Sequence, residues 1–368
     1  MPDSPSTATA KDPARRRFPR LPGQGTPSRA GAAAGTTPGK LPQSAPSPRR
    51  SPGSRYRLWM LGLGLATVAA VVLFMTWDLQ GNASYALTLR GTRLGAMALC
   101  AVAVSVATLA FQTVTSNRIL TPSIMGMDAL YALLQTLMVF SLGATAWTTA
   151  PGELRFLVEL ALMVGFSLLL YRWMFTGKPG SLHLMLLVGI VLGTLFRGIS
   201  ALLGKLLEPS EYTRLQDLFF ASFNRVDPGL LGLAAVIVAI CVVIALRLRH
   251  TLDVMALGRD TAVGLGVDHR RVTTVVLVLC AVLVGTSTAL VGPITFFGLL
   301  VVSLAYQLAP GVGHGRLVAL SSLLGALTLV AGQFIVEQLS GNSTTLSVIV
   351  EFVGGIVFIL MLLRGALK

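Results

Sequence analysis

The run Gly229-Leu-Leu-Gly-Leu-Ala-Ala-Val-Ile-Val-Ala-Ile-Cys-Val-Val-Ile-Ala-Leu246, closed by Arg247-Leu-Arg249, decides what kind of protein this is. An uncharged apolar stretch of this length reads as a helix that crosses a bilayer, because a hydrocarbon core of ~30 Å takes about 20 residues at ~1.5 Å each. The arginines that end it mark where polar headgroups begin. Similar runs lie near residues 58–77, 94–113, 124–142, 154–174, 181–204, 272–291, 293–309, 317–339 and 346–363. Together they predict an all-α integral membrane protein of about ten transmembrane helices.

Composition agrees. The chain is 54% apolar and 12% charged, with a mean hydropathy of +0.75, whereas a soluble domain carries roughly 25% charge. The net charge of +14 suggests nucleic acid until its placement is considered. Up to Arg57, eleven Lys or Arg residues face only Asp3 and Asp12, and eleven of the eighteen prolines lie in the same segment. Such a composition buries too little apolar area to offset the entropy of ordering. Residues 1–55 are therefore expected to be a disordered, basic, Pro-rich cytoplasmic tail, and 56–368 the transmembrane domain. The tail reads first as a cytoplasmic retention signal and second as a segment that binds anionic headgroups of the membrane lipid; no nucleic-acid partner is expected. Leu58–Trp77 is too long for a cleaved leader and reads as a retained first helix.

With the tail inside, the connections on the cytoplasmic side carry eleven Lys or Arg residues and the outer ones six, tail excluded. The asymmetry places both termini in the cytoplasm and makes the number of spans even. Leu99-Cys-Ala-Val102 in the second span recurs as Leu279-Cys-Ala-Val282 in the seventh, which runs the opposite way, a faint sign of two pseudo-repeated halves.

Chemistry of a catalytic kind is not apparent. Cys100, Cys241 and Cys280 lie within apolar runs as core residues, and His183, His250, His269 and His314 are scattered, so no metal site is predicted. No phosphate-binding loop occurs, and Gly311-Val-Gly-His-Gly315 completes no nucleotide motif. The chain reads as no enzyme and without a cofactor of its own; energy, if used, must come from a partner or an ion gradient. Of the charges within apolar sequence, Asp128, Glu159, Arg197, Glu337 and Glu351, most fall near span ends. Glu351 reads as a hydrogen-bonding residue before a carrier.

The breaks within apolar sequence say more. Gln112 to Gly126 is polar and punctuated by Pro122, and non-helical backbone at the membrane is tolerated where protein or an aqueous cavity satisfies it. Asn117, Thr121 and Pro122 either line a path or form an ordinary inner turn. Gly292-Pro293 opens the eighth span at a position where helices accept proline, and Gly354-Gly355 interrupts the tenth. An outer connection, Lys205 to Pro228, is expected to form a short surface helix. The inner segment 251–267 has apolar residues at helical spacing with Gly258 and Gly266 as stops. Spacing alone leaves two equal readings for it: a docking surface for a soluble partner, or a helix pair lying on the membrane.

These landmarks resemble the iron-siderophore and cobalamin (FecCD-type) permease family of binding-protein-dependent ATP-binding cassette importers, from about Leu58 to Leu363. Leu89-Arg90-Gly-Thr-Arg93 is similar to the family's Leu-Arg-x-Pro-Arg, with Thr92 for proline. Gln112, Asn117, Leu120, Pro122 and Gly126 follow its Gln-x4-Asn-x2-Leu-x-x-Pro-x3-Gly pattern, although Arg118 stands where proline is usual. Leu257-Gly258, Ala262 and Leu265-Gly-Val267 resemble the coupling segment. Gly292-Pro293-Ile-x-Phe-x-Gly-Leu299 resembles the helix-opening motif, without the Pro-His that commonly follows. Gly354-Gly355 resembles Gly-Gly-Pro, with Ile356 for proline. Asn117-Arg-Ile-Leu-Thr-Pro-Ser-Ile-Met-Gly126 looks most like the siderophore branch.

The resemblance implies the type II importer permease fold and a position in a bacterial cytoplasmic membrane. It implies a second permease subunit, identical or homologous, a cytoplasmic ATPase dimer that uses the ATP, a periplasmic or lipid-anchored binding protein, and a ferric siderophore as cargo. It assigns ATPase coupling to Leu257, Gly258, Arg259, Ala262, Leu265, Gly266 and Val267. It gives binding-protein docking to Arg90 and Arg93, and the translocation path or gate to Gln112, Asn117, Thr121, Pro122, Gly126, Gly292 and Pro293. A haem or cobalamin permease is the nearest alternative, and an ion-coupled secondary transporter the rival from another class.

Overall fold

In the computed structural model of the chain the described residues are 52–77, 83–175, 182–340 and 345–363. Of the expected tail, 1–55, residues 1–51 lie outside them, and 52–55 are helical instead, as the first turn of α1.

The deciding run folds as a helix, here α8 (Pro228–Arg247). Its start is fixed locally: Asp227 accepts a hydrogen bond from the backbone N–H of Gly229 at 2.8 Å, and Pro228 occupies the first turn, where no N–H partner is lost. The preceding helices are α1 (Pro52–Thr76), α2 (Ala83–Val114), α3 (Met127–Leu142), α4 (Ala144–Thr149), α5 (Gly152–Phe175), α6 (Leu182–Gly204) and α7 (Pro209–Leu218). After α8 come α9 (Arg249–Met255), α10 (Arg259–Gly264), α11 (His269–Val291), α12 (Phe297–Leu308), α13 (His314–Ser340) and α14 (Leu346–Leu363). Among the described residues seven helices, α1, α2, α5, α6, α8, α11 and α13, are long and apolar enough to cross a membrane; α3, α12 and α14 are shorter apolar helices.

The arrangement is concentric. Within their most apolar windows α2 and α11 are each 72% buried, whereas α1 is 6% buried and faces outward. Lipid tails are as apolar as leucine, so packing rather than water release holds such helices together, and small residues let backbones approach. The interior of α2 accordingly reads Ala96, Ala101, Ala103, Ser105, Ala107, Thr108, Ala110. A side chain on Gly298 of α12 would run into Thr108, and one on Gly325 of α13 would press on Ala101 and Ser105. The two Leu-Cys-Ala-Val segments lie in the buried middles of α2 and α11, where Cys100 and Cys280 are fully buried and the Cys280 thiol donates to the Ala107 carbonyl at 3.2 Å.

Three expectations are corrected. The second span starts at Ala83, not near 94, so Arg90 and Arg93 lie within a helix of 32 residues, ~48 Å long and more than a hydrocarbon core requires. Pro293 does not open α12, which starts at Phe297 after an irregular Gly292–Thr295 stretch. Gly354-Gly355 does not interrupt α14, which is continuous; a Cβ at Gly354 would stand 3.1 Å from the Phe296 Cβ, so this glycine serves close packing.

Candidate functional site

The polar break after α2 begins inside the helix. Gln112 is buried and its Nε2 donates to the Arg118 carbonyl at 2.7 Å, while the Asn117 N–H donates to the Gln112 carbonyl at 3.1 Å. These bonds close residues 112–118 into a turn in which Ser116 takes a φ of 50°. Asn117 is exposed, and its side-chain oxygen accepts the Ile119 N–H at 2.9 Å, a local Asx turn. Thr121 is buried, and Pro122 starts a 3-10 turn that Gly126 ends at a φ of 84°. A Cβ at Gly126 would stand 2.9 Å from the Gly189 carbonyl oxygen of α6, so the turn is pressed against that helix backbone to backbone.

The second break is built the same way. Gly292 has a φ of 101°, and a Cβ there would stand 2.9 Å from the Ala221 Cα; the Ser222 N–H donates to the Val291 carbonyl at 2.7 Å. Pro293 follows, half-buried, and Thr295 donates to Glu351 Oε1 at 3.3 Å. The two breaks meet: Thr121, Pro122 and Asp128 border one small cavity with Ile294 and Thr295. Gln112 and Asn117 border a different one of about 620 Å³, together with Arg118, Tyr306, Asp253 and His314.

Between α8 and α11 the chain forms the short helices α9 and α10, reversing at Gly258 (φ 100°) and Gly266 (φ 85°). One face of this pair is anchored through Leu252, Met255 and Ala262, all buried. The other presents Leu257 at 63%, Val263 at 54% and Leu265 at 63% exposure, next to the exposed Arg259. Val267 is half-buried and its N–H donates to the Ala262 carbonyl at 3.0 Å, closing the segment. Three large apolar side chains, Leu257, Val263 and Leu265, are thus exposed together on a short segment outside the long helices.

Arg90 and Arg93 both have partners within the chain. Arg90 Nη1 donates to the carbonyls of Phe74, Met75 and Trp77 at 3.0, 3.3 and 2.7 Å, which satisfies the end of α1. Arg93 pairs with Glu337 at 3.3 Å, and Gln333 donates to the same carboxylate oxygen at 3.0 Å.

Two polar constellations escape a reading by spacing. Gln135 donates to Glu159 at 2.7 Å and accepts from the Trp147 indole at 2.8 Å, in a buried cluster on α3, α4 and α5. Asp253 of α9 meets His314 of α13, whose other ring nitrogen lies 2.7 Å from the Thr113 hydroxyl of α2. Partial burial pushes the Asp253 carboxyl up, but hydrogen bonds from the His314 backbone and ring outweigh it and hold the group below its ordinary range. Gly311-Val-Gly-His-Gly315 was the available signal for the second.

Residues 57–364 match the sequence model of the FecCD transport family. The chain belongs to that family. Within it, the chain is 44% identical over 302 residues to the petrobactin import system permease protein YclO of Bacillus subtilis, covering 82% of this chain and 95% of that one. It is 39% identical over 269 residues to the petrobactin import system permease protein FatC of Bacillus anthracis, covering 73% and 76%. Ferric enterobactin permease FepD of Escherichia coli is a more distant FecCD relative at 27% over 257 residues, or 69% and 74%. The fold matches a structure described as a metal-chelate type ABC transporter in an inward-facing conformation, with a TM-score of 0.73, 21% identity and coverage of 84% and 99%. As a FecCD member this chain is a multi-pass permease subunit of a bacterial ABC importer.

Proposed function

We propose that this FecCD permease carries a ferric siderophore of the petrobactin class across the bacterial cytoplasmic membrane, driven by a separate ATPase. The similarity to two petrobactin import permeases along most of their length carries the substrate assignment. The exposed Leu257, Val263 and Leu265 around Gly258 and Gly266 support ATPase coupling through 251–267. Their anchored inner face makes the segment a lever rather than a loose surface helix.

Counting α3, α12 and α14 with the seven longer helices gives ten spans in two halves of opposed direction, with α2 and α11 as counterparts at the centre. Both termini are then cytoplasmic, and the basic segment 1–55 is a cytoplasmic tail. A second permease, identical or homologous, covers the exposed apolar face of α6 formed by Leu187, Ile190, Val191, Leu195 and Leu202. The path runs past the meeting breaks at Gln112–Gly126 and Gly292–Pro293. A periplasmic or lipid-anchored binding protein docks at the outer end of α2, where Arg90 and Arg93 hold the helix ends that it meets.

The test is reconstitution of the permease pair, ATPase dimer and binding protein in proteoliposomes with radiolabelled ferric petrobactin. ATP-dependent uptake is expected, with cobalamin and haem rejected. Uptake by the permease alone on an ion gradient overturns the proposal.

A further inference from the structure

Gly311-Val-Gly-His-Gly315 forms no nucleotide motif; in the folded chain it is the seat of α9. Gly311, at a φ of 77°, turns the chain after α12. A Cβ on Gly313 would stand 3.2 Å from Asp253 Oδ2, and one on Gly315 would stand 3.3 Å from Arg249 Cδ. The two glycines thus leave room for two side chains of α9. Between them His314 binds it: its backbone N–H donates to Asp253 Oδ1 at 2.7 Å, and ring Nδ1 meets the same oxygen at 2.6 Å.

The contact continues past α9. His314 Nε2 lies 2.7 Å from Thr113 Oγ1, with the histidine side chain 6% exposed and Thr113 buried. Thr113 is followed directly by the end of α2 and adjoins Gln112, which closes the turn to Arg118. The Arg118 guanidinium in turn lies 4.6 Å over the Tyr306 ring of α12. Polar contacts therefore run from α9 through the first residue of α13 to the end of α2 and the turn that leads to Pro122.

Apolar helix contacts tolerate sliding, but short bonds to a carboxylate fix position and are costly to leave unmade when buried. Coupling between distant parts needs such an element shared by both. We propose that His314 is a positioning residue: the Asp253–His314–Thr113 relay transmits displacement of the coupling segment to the polar break at the end of α2. The proposal rests on the ATPase-coupling role of segment 251–267.

The test uses the full importer in proteoliposomes, reading ferric petrobactin uptake and ATP hydrolysis together. His314→Phe, and Thr113→Val, which removes a hydroxyl at nearly constant volume, are each expected to raise the ATP used per siderophore about tenfold. His314→Gln, whose amide N–H can donate to Asp253, should recover part of the loss. Hydrogen exchange on trapping with ATP and vanadate should change in both 256–267 and 114–121 for the parent, and only in 256–267 for His314→Phe. A merely structural histidine would lower the amount of folded protein without separating the two segments. A parental ATP-to-siderophore ratio with a parental exchange change at 114–121, in both His314→Phe and Thr113→Val, overturns the relay. Should His314→Phe fail to fold, Thr113→Val alone decides by the same two readouts. Gly258→Leu separates the two levels: normal uptake in that variant removes the coupling role and the relay with it. Lost uptake there with parental behaviour in Thr113→Val removes the relay alone.

Discussion

Gly126 and Gly292 share a positive φ with Gly258 and Gly266, yet the two pairs sit in opposite surroundings. A side chain at either of the first two would strike backbone, the Gly189 carbonyl in one case and the Ala221 Cα in the other. At either of the second two it would meet nothing within 4 Å. The first pair lets two irregular turns press into the helix bundle; the second reverses the chain with open space around it. Positive φ in a membrane protein thus marks either close packing or an open joint, and only the surroundings distinguish them.

The largest effect expected from this contrast is at the packed pair. Gly126→Val or Gly292→Val should cost about 3 kcal/mol or more, since left-handed strain and overpacking against immobile backbone combine; fluorescence-detected size exclusion after heating should show little folded protein. An ordinary melting profile for either would dissolve the distinction. Next comes the exposed surface of the open joint: Leu257→Asp with Leu265→Asp should leave the melting profile within ~0.5 kcal/mol of the parent, yet abolish co-purification of the ATPase and siderophore uptake. Gly258→Ala probes backbone alone and should cost about 1 kcal/mol, with uptake reduced rather than lost. The smallest effect is electrostatic. Because the folded Asp253 carboxyl lies below its ordinary range, its bond to His314 contributes fully above the unfolded value of ~3.9 and fades as pH falls through the lower folded value. The stability advantage of the parent over Asp253→Asn should shrink on strong acidification, as pH falls below the ordinary carboxylate range.

How much of this was legible in the sequence follows from how far apart the cooperating residues are. Long uncharged runs such as 229–246 announce a span without outside help, and the 3.6-residue rhythm of Leu252, Met255, Ala262 and Leu265 announces α9 and α10. The start of α2 was not legible, because Arg90, Thr92 and Arg93 look like a connection. The helix accommodates them because Arg90 closes the end of α1 and Arg93 finds Glu337 far along the chain. Of the path residues, spacing marked both breaks, but not that Pro122 and Ile294 would border one cavity while Gln112 borders another. The relay through His314 spans 61 residues to Asp253 and 201 to Thr113, so Gly311-Val-Gly-His-Gly315 marks one member and nothing local names its partners.

The burial of the sulfurs has a practical corollary. Cys100 and Cys280 are fully buried and Cys241 is 7% exposed, and thiol chemistry in water needs an accessible sulfur. Water-soluble maleimides should therefore pass over the natural chain. A fluorophore placed on a cysteine introduced at Leu257 would report against a dark background, with no natural cysteine removed first.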